Sequence, residues 1–92
     1  MSDWLAKVRV LLKPTVNDPQ GLAVRGGLHS LGFTSVEQVR VGKYLELRLH
    51  ADDEVAAGRL VDEMGGKLLA NPVIETFSFE LVPLPPEPGA GG

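Results

Sequence analysis

Residues 6–21 read AKVRVLLKPTVNDPQG, and the reading of this stretch decides the fold. Ala6, Val8, Val10 and Leu12 alternate with Lys7, Arg9, Leu11 and Lys13. A period of two predicts a half-buried strand, and Pro14 ends it because proline has no N–H to give to a ladder. Asn17-Asp18-Pro19-Gln20 then opens a helix. Asp18 suits the N-cap, and Pro19 suits the first helical position, where its missing N–H costs nothing. A strand delivered by a short proline-bounded loop into a helix is the first half of a β-α-β unit.

Reading outward, Val24, Leu28 and Leu31 keep helical spacing and Gly32 supplies a stop. Gly26-Gly27 inside that helix costs roughly 2 kcal/mol relative to alanine, which predicts a close approach there, by the sheet or by a ligand. Val36 to Val41 reads as a second strand and Gly42-Lys43 as a tight turn. Leu45, Leu47 and Leu49, alternating with Tyr44, Glu46, Arg48 and His50, complete a β-hairpin. Asp52 or Asp53 caps a second helix with Ala57, Leu60 or Val61, Met64 and Leu68 as its buried stripe. Asn71-Pro72 ends it, and a last strand runs from Val73 to Val82. The order β-α-β-β-α-β with right-handed crossovers predicts an α+β, ferredoxin-like two-layer sandwich. It has a four-stranded antiparallel sheet with two helices on one face.

The chain has 92 residues, 43% of them hydrophobic, a formal net charge of -3 and no cysteine. That size fits one domain, expected over residues 1–82, and predicts marginal stability without a partner. Residues 83–92, PLPPEPGAGG, read as a disordered tail. The absence of cysteine excludes a disulfide scaffold, a thiol nucleophile and an iron–sulfur cluster. No apolar run reaches the length of a signal peptide or a membrane span, so a cytoplasmic location is expected. The acidic balance argues against nucleic acid as a partner, because such binding is driven by neutralising phosphates.

Catalytic chemistry is hard to find. His29 and His50 lack a second ligand at metal spacing, and the serines have no nucleophile-elbow context. Asp52, Asp53 and Glu54 are explained as helix caps. No catalytic, cofactor-binding or metal-binding residue is assigned. The sheet face away from the helices is expected to carry Lys7, Arg9, Lys13, Arg40 and Arg48 against Glu46 and Glu80, which suits either an acidic partner patch or cross-strand ion pairs.

Three segments, LKPTVNDPQG, LGFTSVEQVRVGKYLEL and EMGGKLLANPVIETFSFE, together resemble the PurS family, small subunits of phosphoribosylformylglycinamidine synthase. The resemblance covers about Val8 to Glu80. It implies a non-catalytic subunit that bridges a glutaminase and a large ATP-dependent synthetase and supports ammonia transfer between them in de novo purine synthesis. It also implies a homodimer, with a tetramer left open, and no cofactor. Among the matching motif positions, Gln20, Arg40, Lys43 and Asn71 are expected to face partners, because folding does not obviously require them. The alternative is an ACT-like regulatory module that binds a small molecule at a dimer interface, with Gly26-Gly27 as the place of close approach. An acylphosphatase-like enzyme fits less well, since the loop KPTVNDPQG holds no arginine before Arg25.

Overall fold

The computed structural model describes residues 2–85. Three strands form one antiparallel sheet: β1 (Ser2–Leu12), β2 (Gly42–Ala51) and β3 (Glu75–Leu84), in the order β2-β1-β3. Two α-helices, α1 (Pro19–Ser30) and α2 (Glu54–Met64), lie between the strands in sequence. A five-residue π-helical turn, Gly65–Leu69, continues α2.

Every strand obeys the expected alternation. On the inner face Val8 lies between Leu45 and Phe79, and Val10 between Lys43 and Phe77. α2 covers this face, and its buried residues are Ala57 and Val61, with Gly65 following on the same side. The buried core is small: Trp4, Ala6, Val8, Val10, Leu49, Ala51, Ala57 and Val61. Leu45, Leu47, Leu69, Phe77, Phe79 and Leu81 pack around it, and Phe77 and Phe79 are tilted with centroids 5.6 Å apart. The helical stripe is therefore shifted from the expected one. Leu60, Met64 and Leu68 are exposed, because Gly65 takes the place nearest the sheet. A Cβ on Gly65 would lie 2.4 Å from the Phe77 ring, so only glycine lets the helix end approach that ring.

The expected fourth strand is corrected. Residues 36–41 form no ladder, and the sheet has three strands among the described residues. The hairpin reading needed a turn at Gly42-Lys43, but Gly42 is already paired with Leu11 and Lys43 with Val10. With no residues left for a turn, segment 36–41 cannot fold back beside β2. Gly42 is demanded by space instead: a Cβ there would lie 2.2 Å from the Val10 carbonyl oxygen. Segment 36–41 is a strap, with its polar groups bound elsewhere. His29 Nε2–H donates to Val36 O at 2.7 Å, Arg40 donates to Leu12 O, and Val41 N–H donates to Asp18.

The expectation of two helices on one face is corrected with it. α1 starts as expected, with Asp18 accepting from Gly21 N at 2.9 Å and Pro19 in the first turn. It ends in a Schellman motif, where Gly32 at φ 97 donates to His29 O and Phe33 N donates to Leu28 O. Only Gly21 of the whole helix is buried, while Leu22, Val24 and Leu31 stay exposed. The described residues are correspondingly extended, 53 × 30 × 18 Å, with a radius of gyration of 17.6 Å. A compact chain of this length would have roughly 12 Å. Gly26 and Gly27 meet nothing within 4 Å of a Cβ, so packing against the sheet does not explain them.

β3 continues through Pro83 and Leu84, two residues past the expected domain boundary. Pro83 is tolerated because β3 is an edge strand. Residues 86–92 of the expected tail lie outside the described residues.

Candidate functional site

One end of the sheet gathers most of the unusual sequence. β1 ends at Leu12, β2 begins at Gly42 opposite Leu11, and β3 begins at Glu75 opposite Leu12. Loop 13–18, the start of α1, strap 36–41 and loop 70–74 all meet there. Asp18 is the hub. Its Oδ1 accepts from Gly21 N and its Oδ2 from Val41 N, each at 2.9 Å. These two bonds, chiefly that from Val41, hold its carboxyl below the usual carboxylate range, with help from Arg40. Gly21 fits under the strap because it lacks a Cβ, which would lie 2.2 Å from Val39 O. The DPQG motif thus ties the helix start to the strap.

Two cavities flank this hub. The larger, about 250 Å³, lies between loop 13–18, α1 and the strap, and Lys13, Asp18, Arg25, Glu37 and Arg40 supply its charged lining. The second, about 240 Å³, lies over the start of β2 and is lined by Gln20, Lys43 and Glu75 beside Asp18. Three expected contact residues therefore converge: Arg40 on one cavity, Gln20 and Lys43 on the other. Gln20 and Lys43 carry exposed side chains, as an interface position requires. Arg40 is also exposed but serves the fold too, through its bond to Leu12 O.

Asn71 belongs to the neighbouring loop and is bound internally. Its Oδ1 accepts from Val73 N at 3.0 Å, and its own N–H donates to Glu75 Oε1 at 2.7 Å. Lys13 N donates to Ile74 O, pinning this loop to the end of β1. Sequence reasoning missed Arg25 and Glu37, whose positions on helix and strap carry no local signal of a shared cavity.

Of the two expected readings of the outer sheet face, the structure shows the cross-strand ion pairs and not a patch of unpaired basic groups. β1 starts at Ser2, which brings Asp3 onto that face, while Arg40 belongs to the strap and Lys13 lies past the end of β1. Lys7 is flanked by Glu46 and Glu80. Arg9 pairs with Glu80 at 3.2 Å and lies 5.7 Å from the Tyr44 ring centroid. Arg48 pairs with Asp3 at 3.0 Å, and His50 also bonds Asp3. The ladder is balanced in charge and solvated, and such exposed pairs contribute little each.

No group of three His, Asp or Glu among the described residues is placed to hold a metal ion. No helix among them is long and apolar enough to cross a membrane.

Comparison with known proteins gives a consistent result. The family model described as PurS, phosphoribosylformylglycinamidine (FGAM) synthase, matches residues 5–83. The PurS subunit of that synthase from Synechocystis sp. is 50% identical over 78 residues, which are 85% of this chain and 78% of the relative. The Bacillus subtilis subunit is 49% identical over 85% of this chain and 92% of its own length. The solved Thermus thermophilus PurS superposes with a TM-score of 0.81 at 44% identity, covering 90% of this chain and 99% of that one. A chain of the structure described as PurLQS from Thermotoga maritima superposes at 0.79 with 27% identity, covering 91% of this chain and all of that one.

Proposed function

The chain belongs to the PurS family of phosphoribosylformylglycinamidine synthase, and from that membership we propose that it works as the non-catalytic bridge of the synthase. Its place as a subunit of that synthase, in purine biosynthesis, follows from the family itself. In this reading it joins a glutaminase to a large ATP-dependent synthetase in the cytoplasm and supports the passage of ammonia between them. The match to a PurLQS chain along that chain's whole length supports an assembly role. The cluster of Gln20, Lys43 and Arg40 at one sheet end gives that role a surface.

The working form is a homodimer. The observation that carries this is α1 with its C-cap, where apolar Val24 and Leu31 are 46% and 75% exposed while α2 covers the inner face. A helix with an unpartnered apolar face and a sheet with two open edges both gain by self-association. A second copy would also complete the ferredoxin-like layer that one copy leaves short of a strand. The family match, and not the open space at Gly26 and Gly27, is what favours this reading over the ACT-like alternative.

The decisive experiment is a pull-down with the glutaminase and the synthetase of the same organism, with and without glutamine and Mg-ADP. Capture of both enzymes is expected. Failure to capture either under every condition would end this reading.

A further inference from the structure

The 250 Å³ cavity beside Asp18 is lined by three cations, and of these Arg25 and Lys13 make no side-chain bond to the fold among the described residues. Arg25 Nε meets no acceptor among the described residues, and because it has no solvent contact it gains one only when the side chain turns toward the cavity it lines. Arg25 forms no ion pair there, although Glu37 lines the same cavity. A buried guanidinium N–H without an acceptor is an unmet demand for an oxygen. Lys13 adds a second cation, whose side chain makes no hydrogen bond or ion pair among the described residues, and Arg40 a third, which donates to Leu12 O and also favours the charge of Asp18. Both oxygens of Asp18 are occupied by Gly21 N and Val41 N, so its charge is turned toward the backbone.

Size narrows the occupant. The cavity is smaller than the roughly 300–1,000 Å³ typical of small-molecule sites. Its rim residues Pro14, Asn17 and Glu37 are exposed, so it opens outward. A single carboxylate on a short side chain matches both the volume and the planar fork of arginine.

We propose that this cavity is the receptor for one acidic side chain of a partner protein, gripped by Arg25 with Lys13 and Arg40 alongside. The inference rests on the assembly role above and names the chemistry of one contact within it. Glu37 then serves as a rim charge that repels a second acid and limits the site to one.

The experiment is a titration of the full chain against each of the two enzymes, for the wild type, Arg25→Gln, Arg25→Lys and Glu37→Gln. Circular dichroism confirms that each variant is folded. Arg25→Gln is expected to weaken capture of one enzyme roughly tenfold, and to flatten its salt dependence. Arg25→Lys should recover part of the loss, and Glu37→Gln should tighten binding. Equal capture by wild type and Arg25→Gln would overturn the proposal. So would stabilisation of the isolated chain by inorganic phosphate that Arg25→Gln abolishes while capture stays unchanged, since that assigns a small-anion site. If the wild type captures neither enzyme, the assembly role itself fails and this contact with it.

Discussion

The carboxylate of Asp18 accepts a 2.9 Å hydrogen bond from the backbone N–H of Val41, 23 residues further along the chain. The same side chain caps α1 through Gly21 N. One residue thereby sets both where the helix starts and where the strap crosses it. The bonds favour the ionised form, so the folded pKa lies below the unfolded value near 3.8. A depressed carboxylate contributes stability above its unfolded pKa and loses it as pH falls toward the folded one. Asp3, lowered chiefly by its bond to Arg48, acts in the same direction. The thermal midpoint should therefore be flat near neutrality and fall below about pH 4. Asp18→Ala should lower the midpoint at pH 7 and make the acid fall shallower. A midpoint that rises on acidification would contradict the assignment.

Gly65 should resist substitution while Gly66 should not. An added Cβ on Gly65 meets Phe77 Cζ at 2.4 Å, an overpacking that costs about 1–3 kcal/mol. Nothing lies within 4 Å of a Cβ on Gly66, so Gly66→Ala should be neutral or stabilising by up to about 1 kcal/mol. Paired urea titrations of Gly65→Ala and Gly66→Ala measure the contrast.

Charge placed on the open face of α1 should break the proposed homodimer without unfolding the sheet. Val24 and Leu31 share that face with Leu28, and no core residue belongs to α1. Sedimentation at micromolar concentration should show a dimer for the wild type and a monomer for the double variant Val24→Asp, Leu31→Asp. Strand content by circular dichroism should be retained. A wild type that sediments only as a monomer would count against the homodimer.

Lys43→Glu and Asn71→Ala should behave differently. Lys43 is exposed over the second cavity and its side chain makes no hydrogen bond or ion pair among the described residues, so Lys43→Glu should leave the melting curve alone and weaken assembly. Asn71→Ala removes the acceptor of Val73 N, at a cost of about 1 kcal/mol. Its melting midpoint should drop even where assembly survives. A large loss of stability in Lys43→Glu would show that it is scaffold rather than contact.

Five of the six regular segments expected from periodicity are present, because alternation and helical spacing are local properties. Asp18 as a cap and Pro19 in the first turn were legible for the same reason. The fourth strand was not. Val36 to Val41 has a strand's composition, but whether it pairs depends on where Asp18, Leu12 and His29 lie in space. The two demanding glycines at the sheet end were equally mute. Gly42 reads as a turn residue and Gly21 as one more residue of a helix start, yet each is there to admit a carbonyl oxygen from a distant segment. Of the four expected contact residues, Gln20, Arg40 and Lys43 converge, while Asn71 is bound within its own loop.

The linear order of residues by itself determined which positions are apolar on each strand, where the two helices begin, and the family to which the motifs belong. Periodicity and capping act over a few residues and need no knowledge of the rest. Only the tertiary structure decided that the sheet stops at three strands, that α1 stands clear of it, and that Lys13, Arg25 and Arg40 share one cavity. Those outcomes depend on which surface lies against which, and that is settled when distant backbone groups compete for the same few hydrogen-bond partners.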